Sequence, residues 1–414
     1  MEKMTTEGAA ASSVCFEELE SWLRGEMQSL IQQVLEQEVT EFLGRGKSER
    51  REGTDGACGY RNGYGKRRLL TLSCGTITVR RPRVRETEDP FVSRLLPLFA
   101  KRSAEVGDLL PELYLHGLSE GDFDLALRSL LGEGAPLSAS TVARLKLKWQ
   151  AEFDSWRQRS LAELEVTYVW ADGVYVKAGL EKDRAAVLVV MGALSDGRKV
   201  VLSVTAGYRE STESWAEVLR DLRARGMVCP RLVVGDGNLG LWAALGSVYP
   251  QAEQQRCWNH KLLNVLNKLP LRLHAQAKVL LKPIPYAATE KEAQAGREQF
   301  RRWCQQHGQT AAADVLDRDW QELVTFFRFP KEHWIHLRTS NPIESPFFAL
   351  RLRTDAARRY KKVDNATAVL WKLLLIAERR FRHLAAPRLL KPVFLGAHFV
   401  DGVQVYNRSQ EAAA

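Results

Sequence analysis

Three acids, Asp172, Asp236 and Glu344, are the residues best placed by type and context to do chemistry. Asp236 closes the apolar run Leu232-Val233-Val234 and lies in Gly235-Asp236-Gly237, after which Leu239, Leu241, Trp242, Ala244 and Leu245 recur at helical spacing. A strand, a tight turn and a helix in that order put a carboxylate at the carboxyl end of a buried strand, where open α/β sheets keep their chemistry. Asp172 ends a second apolar run, and Glu344 stands in the first turn of a helix that starts near Asn341-Pro342. Three carboxylates suffice to hold two divalent cations about 4 Å apart for an in-line displacement at phosphorus. Oxygen donors suit Mg²⁺ or Mn²⁺ and not zinc. Each acid also has an ordinary reading, because Asp-Gly is a common turn pair, as at Asp196-Gly197, and the helix dipole favours an early glutamate. Spacing alone leaves the two readings level.

Bringing the acids together requires a sheet. The runs Thr167 to Trp170, Ala185 to Leu194 and Lys199 to Val204 read as strands, followed by a helix, Ser214 to Arg225. The strand before Asp236, its helix and the run Gln251 to Arg256 complete the order βββαβαβ. That order, with acids ending the first and fourth strands, predicts an α/β ribonuclease-H-like catalytic core in which those two strands are neighbours and Asp172 faces Asp236. Beyond Lys261 the pattern turns helical, over Glu290 to Gln306, Ala311 to Phe327 and Ala366 to Phe381, so Glu344 is expected to follow an all-α insertion.

Upstream, apolar residues between Phe16 and Leu43 follow a helical period, predicting an amphipathic helix broken at Gly25 that packs on its own core or serves self-association. The segment Gly59 to Arg68 is Gly-rich and basic, and Asn62-Gly63 and Cys74-Gly75 read as hairpin turns. Arg61, Lys66, Arg67, Arg68, Arg80, Arg81 and Arg83 concentrate positive charge on this small β element, interleaved with Tyr60 and Tyr64, which favours phosphate contact over a merely solvated face. Three short helices are expected at Val106 to Leu115, Asp122 to Leu131 and Ser138 to Trp149. The third carries Arg144, Lys146 and Lys148, as a helix-turn-helix reader of a major groove would. The helix after Glu344 is basic at Arg351, Arg353, Arg358 and Arg359.

The resulting multidomain partition is an N-terminal helical region (1–50), a basic β-hairpin module (51–100) and a helix-turn-helix-like domain (101–160). The first part of the core (161–260), the all-α insertion (261–335), the end of the core with its basic helix (336–395) and a C-terminal tail (396–414) follow. The formal charge of +10 and pI near 9.3 agree with a polyanionic partner, double-stranded DNA above all. No run is long and apolar enough for a membrane span, and Met1 to Ser13 lacks a signal-peptide layout, so a cytoplasmic, nucleoid-associated protein is expected. The six cysteines form no disulfide framework. Gly44-Arg45-Gly46-Lys47-Ser48 has Glu41 in place of the first glycine of a phosphate loop and no strand before it, so no ATP site is expected. Cys257-x-x-His260, echoed by Cys304-x-x-His307, admits structural zinc, but a packed or hydrogen-bonded pair is favoured. His333 and His336, flanking Trp334, read as helix-packing residues in preference to ligands, with contact of one of them to a phosphate as the alternative.

Several blocks together resemble the Mutator-type transposases of bacterial insertion sequences. They are Trp170-Ala171-Asp172-Gly173-Val174-Tyr175-Val176-Lys177, Gly235-Asp236-Gly237 leading to Gln255-Arg256-Cys257-Trp258-Asn259-His260, and Thr339-Ser340-Asn341-Pro342-Ile343-Glu344-Ser345. Gly59 to Tyr64 and Val79 to Arg83 extend the likeness over nearly the whole chain. The resemblance implies a DDE transposase with Asp172, Asp236 and Glu344 as its catalytic and metal-holding triad and two Mg²⁺ (or Mn²⁺) ions as cofactors. Such an enzyme cleaves the inverted-repeat ends of its element and joins the freed 3′-hydroxyl to target DNA without a covalent intermediate, by a copy-out, paste-in route through a circle. It further implies an accessory role for Cys257 and His260 and a homodimer or larger assembly on DNA. The chain departs from the family in carrying Phe347, Phe348 and Leu352 after its glutamate. The alternative is a transposase-derived DNA-binding regulator without catalysis.

Overall fold

A five-stranded mixed sheet organises Lys146–Ala414, the larger of the two units into which the chain divides; the smaller is Met1–Leu145. The computed structural model describes residues 18–49, 59–96, 103, 113, 139–178, 185–207, 210–357, 360 and 362–405.

In the smaller unit, α1 (Leu19–Leu43) packs on a hairpin of β1 (Tyr60–Leu72) and β2 (Gly75–Arg85). Leu35, Leu70, Ile77, Val79 and Leu96 form its core. Gln28 and Gln32 of α1 bond to the β2 backbone: Gln32 donates to the Arg80 carbonyl at 2.9 Å and accepts its N–H at 3.0 Å, and Gln28 accepts from Thr78 N–H at 3.0 Å. Two expectations are corrected here. The helix runs through Gly25 unbroken, because nothing crowds that position and one helical glycine costs only about 1 kcal/mol. Asn62-Gly63 does not turn the chain; it lies inside β1 as a register shift between Arg61 and Tyr64, with Gly63 at φ 61°, while Ser73-Cys74 makes the hairpin turn. Gly44 is the left-handed residue that ends α1, its N–H meeting the Thr40 and Glu41 carbonyls, which accounts for this glycine without a phosphate.

The first two of the helices expected between Val106 and Trp149 lie outside the described residues. The third is α2 (Ala139–Trp156), longer than expected because Trp149 and Phe153 are buried; the Phe153 ring lies 5.5 Å from that of Trp371. The sheet then forms from β3 (Val166–Val176), β4 (Ala185–Leu194), β5 (Lys199–Gly207), β6 (Leu232–Gly235) and β7 (Glu253–Arg256), in the spatial order β5-β4-β3-β6-β7. Strands β3, β4 and β5 form an antiparallel meander, whereas β6 runs parallel to β3 and β7 parallel to β6. The first and fourth strands of this unit are therefore neighbours, as expected.

Alternation along β3 divides its side chains between two faces. Val169 and Ala171 join the core made with α3 (Thr212–Ala224) and α4 (Leu239–Val248), through Trp215, Leu219, Leu222, Leu241 and Leu245. On the other face Trp170 Nε1 donates to the His336 carbonyl at 3.1 Å, and the Tyr168 hydroxyl meets His333 Nδ1 at 2.8 Å. His333 is wholly buried, as a packing residue is expected to be, while the partly exposed His336 ring accepts the Ala385 N–H at 3.1 Å.

The helical segment after β7 comprises α5 (Trp258–Leu266), α6 (His274–Leu281), α7 (Glu290–Gln306), α8 (Thr310–Arg318), α9 (Trp320–Val324) and α10 (Trp334–Leu337). The single helix expected from Ala311 to Phe327 is broken at Asp319, whose carboxylate pairs with Arg256 and Lys261. Helix α11 (Asn341–Ala357) carries Glu344, and α12 (Val363–Glu378) and α13 (Leu390–Phe394) follow. Within the expected tail, β8 (His398–Val400) and β9 (Val403–Val405) form a hairpin, since Asp401 and Gly402 both adopt positive φ as a tight turn requires. No helix among the described residues is long and apolar enough to cross a membrane.

Candidate active site

Strand β3 does not stop at Trp170 as expected but continues through Asp172, which pairs with Val189 of β4. Its pairing with β6 is shorter: Tyr168, Val169 and Trp170 match Leu232, Val233 and Val234, and β6 ends at Gly235. Two residues past the Trp170–Val234 pair stand Asp172 on one chain and Asp236 on the other. Both acids therefore lie just past the point where the parallel ladder of β3 and β6 stops.

Backbone groups fix both carboxylates. Asp172 Oδ1 accepts the Gly173 N–H at 2.8 Å, and Asp236 Oδ1 accepts the Asn238 N–H at 2.9 Å. Burial, reinforced by the negative charges of Asp236, Glu210 and Glu344, pushes the Asp172 carboxyl up to about 7 despite the Gly173 bond.

Glu344 arrives from the first turn of α11. The N–H groups of Ile343 and Glu344 both meet the Ser340 carbonyl at 3.0 Å, and the Ser340 hydroxyl donates to Glu344 Oε1. The Cys257-x-x-His260 element, at the start of α5, docks this helix start. Ser340 N–H donates to Cys257 Sγ at 3.3 Å, Trp258 N–H to the Arg338 carbonyl at 2.9 Å, and Asn259 to Asn341 Oδ1 at 3.0 Å. His260 Nδ1 lies 3.4 Å from Ser340 Oγ and 3.7 Å from Glu344 Oε1.

The hydrogen bond with Cys257 raises His260 to about 9, helped by Glu344 and Asp236 and opposed by burial. Burial alone would raise the Cys257 thiol, but hydrogen bonds from His260 and Ser340 outweigh it and lower its pKa. The two directions agree, each favouring the charged form of its own group. Ligand atoms of Cys257, His260 and Glu344 all lie within 4.8 Å of one another, the tightest potential metal-binding trio among the described residues. Asp172, Asp236 and Glu344 do not form such a trio, although Asp172 feels the charges of the other two. Cys304 and His307 are not such a pair: Cys304 is buried, its thiol pushed up to about 11 by burial, while His307 is exposed and bonds the Trp303 carbonyl at 2.8 Å.

One acid in this region escapes a sequence reading. Glu210, just before the Ser211 cap of α3, accepts from Asn238 Nδ2 at 3.1 Å and is raised by burial and then by Asp236. Nothing in Glu210-Ser211-Thr212-Glu213 separates it from an ordinary helix-start acid. Only packing sets it apart: a Cβ on Gly173 would fall 2.3 Å from Glu210 Oε1.

The sequence profile described as "Transposase, Mutator family" matches residues 2–381. The chain belongs to the Mutator family of transposases. It is 43% identical over 297 residues to the transposase for insertion sequence element IS6120 of Mycolicibacterium smegmatis, covering 72% of this chain and 92% of that one. It is 39% identical over 280 residues to that of IST2 of Acidithiobacillus ferrooxidans (67% and 94%), and 30% identical over 371 residues to that of ISRM5 of Rhizobium meliloti (87% and 89%).

The basic residues of this Mutator family transposase fall into distinct settings. On the hairpin, Lys66, Arg67, Arg80 and Arg83 are exposed, and Arg68 and Arg81 are partly so. Lys66, Arg68, Arg81 and Arg83 line an open cavity of about 440 Å³ with Pro82, Pro90 and Phe91. Arg61 differs from expectation: it is half-buried, bonded to Glu36 at 3.0 Å and Thr40 at 2.7 Å, and ties β1 to α1. Lys148 is exposed beside Glu152 at 3.7 Å, and Lys146 is half-buried. Arg351 is exposed, but Arg353 is 3% exposed and turned into the protein, contrary to the expectation of a DNA contact. The side chain of Arg144 and residues Arg358 and Arg359 lie outside the described residues. Phe347, a departure from the family pattern, fills the core at 0% exposure.

Proposed function

We propose that this transposase is a DDE enzyme that binds the terminal inverted repeats of an insertion sequence, hydrolyses a phosphodiester at each end and joins the freed 3′-hydroxyl to target DNA. The observation that carries the reading is that Asp172 and Asp236 stand just past the end of the β3–β6 ladder, with the charge of Glu344 also reaching Asp172. Burial first, and then the charges of Asp236, Glu210 and Glu344, raise Asp172 to about 7. The sheet order β5-β4-β3-β6-β7, with an antiparallel meander followed by two parallel strands, supports a ribonuclease-H-like core.

The donor set fits divalent magnesium or manganese: carboxylate oxygens lie within reach of each other's charge, and a cation would offset the repulsion they now share. When bound, two such ions would activate the attacking oxygen and stabilise the leaving one. The protein's own part is to hold the acids. Backbone N–H groups orient Asp172 and Asp236, Ser340 orients Glu344, and the protonated His260 offsets part of the charge of Glu344 and Asp236. In strand transfer the 3′-oxygen bonds to the target phosphorus as the target P–O3′ bond breaks, leaving no enzyme-bound intermediate. The exposed cations of the β1–β2 hairpin supply phosphate contacts to double-stranded DNA. Two ends must be brought together, so a homodimer or larger assembly on DNA follows.

Incubating labelled DNA bearing the element's own ends with protein and Mg²⁺ tests the reading. Wild type is expected to nick and join the ends, whereas Asp172→Asn, Asp236→Asn and Glu344→Gln bind them uncut. Binding by wild type without nicking or joining would leave a transposase-derived DNA-binding regulator instead.

A further inference from the structure

We infer that Glu210 is a positioning residue that aims the Asp236 carboxylate through Asn238; the inference rests on the catalytic reading of Asp236 above. The chain of contacts is short. Glu210 Oε2 accepts from the Asn238 side-chain nitrogen at 3.1 Å, which fixes the plane of that amide. Its oxygen is then turned toward the start of α4, where it accepts the Gly240 N–H at 2.8 Å and caps the helix. With both ends of the amide held, the backbone N–H of Asn238 is left pointing at Asp236 Oδ1, 2.9 Å away. Asp236 has already left the ladder of β6, so this turn is what sets its direction.

Close packing around Glu210 supports a positional role. A Cβ at Gly240 would come within 2.8 Å of the Glu210 carbonyl and 2.7 Å of the Thr212 nitrogen, so the start of α4 and the segment before α3 touch backbone to backbone. A Cβ at Gly173, the residue after Asp172, would meet the Glu210 carboxylate itself. The side chain is therefore wedged between the β3 backbone beside one catalytic acid and the turn bearing the other. The Tyr175 hydroxyl, further along β3, gives the same carboxylate another hydrogen bond. No ordinary helix-start glutamate has such a setting, because it would face solvent.

Position and charge are separable by substitution. Glu210→Gln keeps an acceptor of the same reach, whereas Glu210→Ala removes it. Two measurements on the full-length protein read the result: hydrogen exchange at the Asn238 and Gly240 amides, and the kcat and KM for nicking end DNA. Glu210→Ala is expected to speed exchange at both amides at least ten-fold and lower kcat about ten-fold with KM within two-fold. Glu210→Gln should leave exchange near wild type and retain at least a third of kcat. Wild-type protection in Glu210→Ala would overturn the inference, and so would a Glu210→Gln variant as impaired as Glu210→Ala. Should the wild type neither nick nor join DNA, the catalytic reading fails, and the exchange comparison still decides whether Glu210 holds the turn.

Discussion

The backbone N–H of Ser340 donates to the sulfur of Cys257 at 3.3 Å, joining the end of β7 to the start of the helix that carries Glu344. Cys257 is wholly buried, and its own N–H continues the sheet by bonding the Gly235 carbonyl at 2.8 Å, next to Asp236. A single residue thus bonds the chain just before Asp236 and, through Ser340, the start of the helix that carries Glu344. The Cys-x-x-His spacing also brings His260 one helical turn further on, against Glu344.

Replacing Cys257 by alanine should therefore harm activity more than folding. The lost side chain leaves Ser340 N–H unpartnered and frees His260, at a stability loss of about 1–3 kcal/mol. Nicking of end DNA is expected to fall ten-fold or more under conditions where urea denaturation shows the variant fully folded. Wild-type nicking by a folded Cys257→Ala protein would show that this tie does not matter to Glu344.

Asp172→Asn should stabilise the protein. Burial raises the folded-state pKa to about 7, above its usual value of 3.8, so the folded state binds the extra proton between those values and ionisation destabilises it. The penalty is fully present above pH 7 and vanishes below about 4, and its full size is on the order of 2–4 kcal/mol. Denaturation at pH 8 is expected to favour the variant by that order, with the gap closing as pH falls. Millimolar Mg²⁺ should raise the melting temperature of wild type and leave the variant unmoved, since a ligand stabilises only the fold that binds it. An equal shift in both would remove Asp172 from the proposed metal-holding set.

The adjacency of the strands that carry Asp172 and Asp236 was legible because they have strong apolar runs and the element order restricts their neighbours. Glu344 was harder: a helical stretch separates it from Asp236, and its helix has an ordinary acidic first turn. Its place in a helix start beyond the helical stretch made it a candidate, and the block Thr339 to Ser345, read as a resemblance, separated it from an ordinary first-turn acid. Strand length was misjudged at Trp170 because Asp172-Gly173 looks like a turn, whereas pairing with β4 carries the strand through it. Gly63 misled for a similar reason: an Asn-Gly pair suits a hairpin turn or a bulge equally, and the partner strand decides. Glu210 and the burial of Arg353 depend wholly on tertiary packing, which no local pattern encodes.

His336 supplies a pH dependence of the opposite kind. Burial, then the charges of Lys199 and His333, lower its pKa to about 4, and its Nε2 must be unprotonated to accept the Ala385 N–H at 3.1 Å. The unfolded chain binds the proton first as pH falls, so the stability this group contributes is complete above about 6.5 and is lost toward pH 4. Because the ring is only partly buried, water screens the effect to roughly 1–2 kcal/mol. The stability difference between wild type and His336→Gln, an acceptor without a titrating ring, should shrink or reverse by that amount between pH 7 and pH 4.5. A difference constant across that range would refute the assignment.

Asp319 balances two cations at once. Its Oδ2 pairs with both Arg256 and Lys261, and the lysine side chain is 2% exposed. Arg256 in turn lies against the turn after Asp236, where a Cβ on Gly237 would strike its guanidinium at 2.3 Å. Removing the shared carboxylate would strand a buried ammonium and release the arginine at the edge of the site. Breaking a buried pair in this way costs about 3–5 kcal/mol, whereas an exposed pair is worth about 0–1. Asp319→Ala is accordingly expected to lower the urea midpoint steeply, and Arg220→Ala, which breaks the exposed Arg220–Glu213 pair, to leave it almost unchanged. Asp319→Ala combined with Lys261→Met should recover much of the loss, because the methionine removes the stranded charge and keeps most of the volume. Failure of that second change to restore stability would place the effect in Arg256 and the Asp236 turn instead of in the buried lysine.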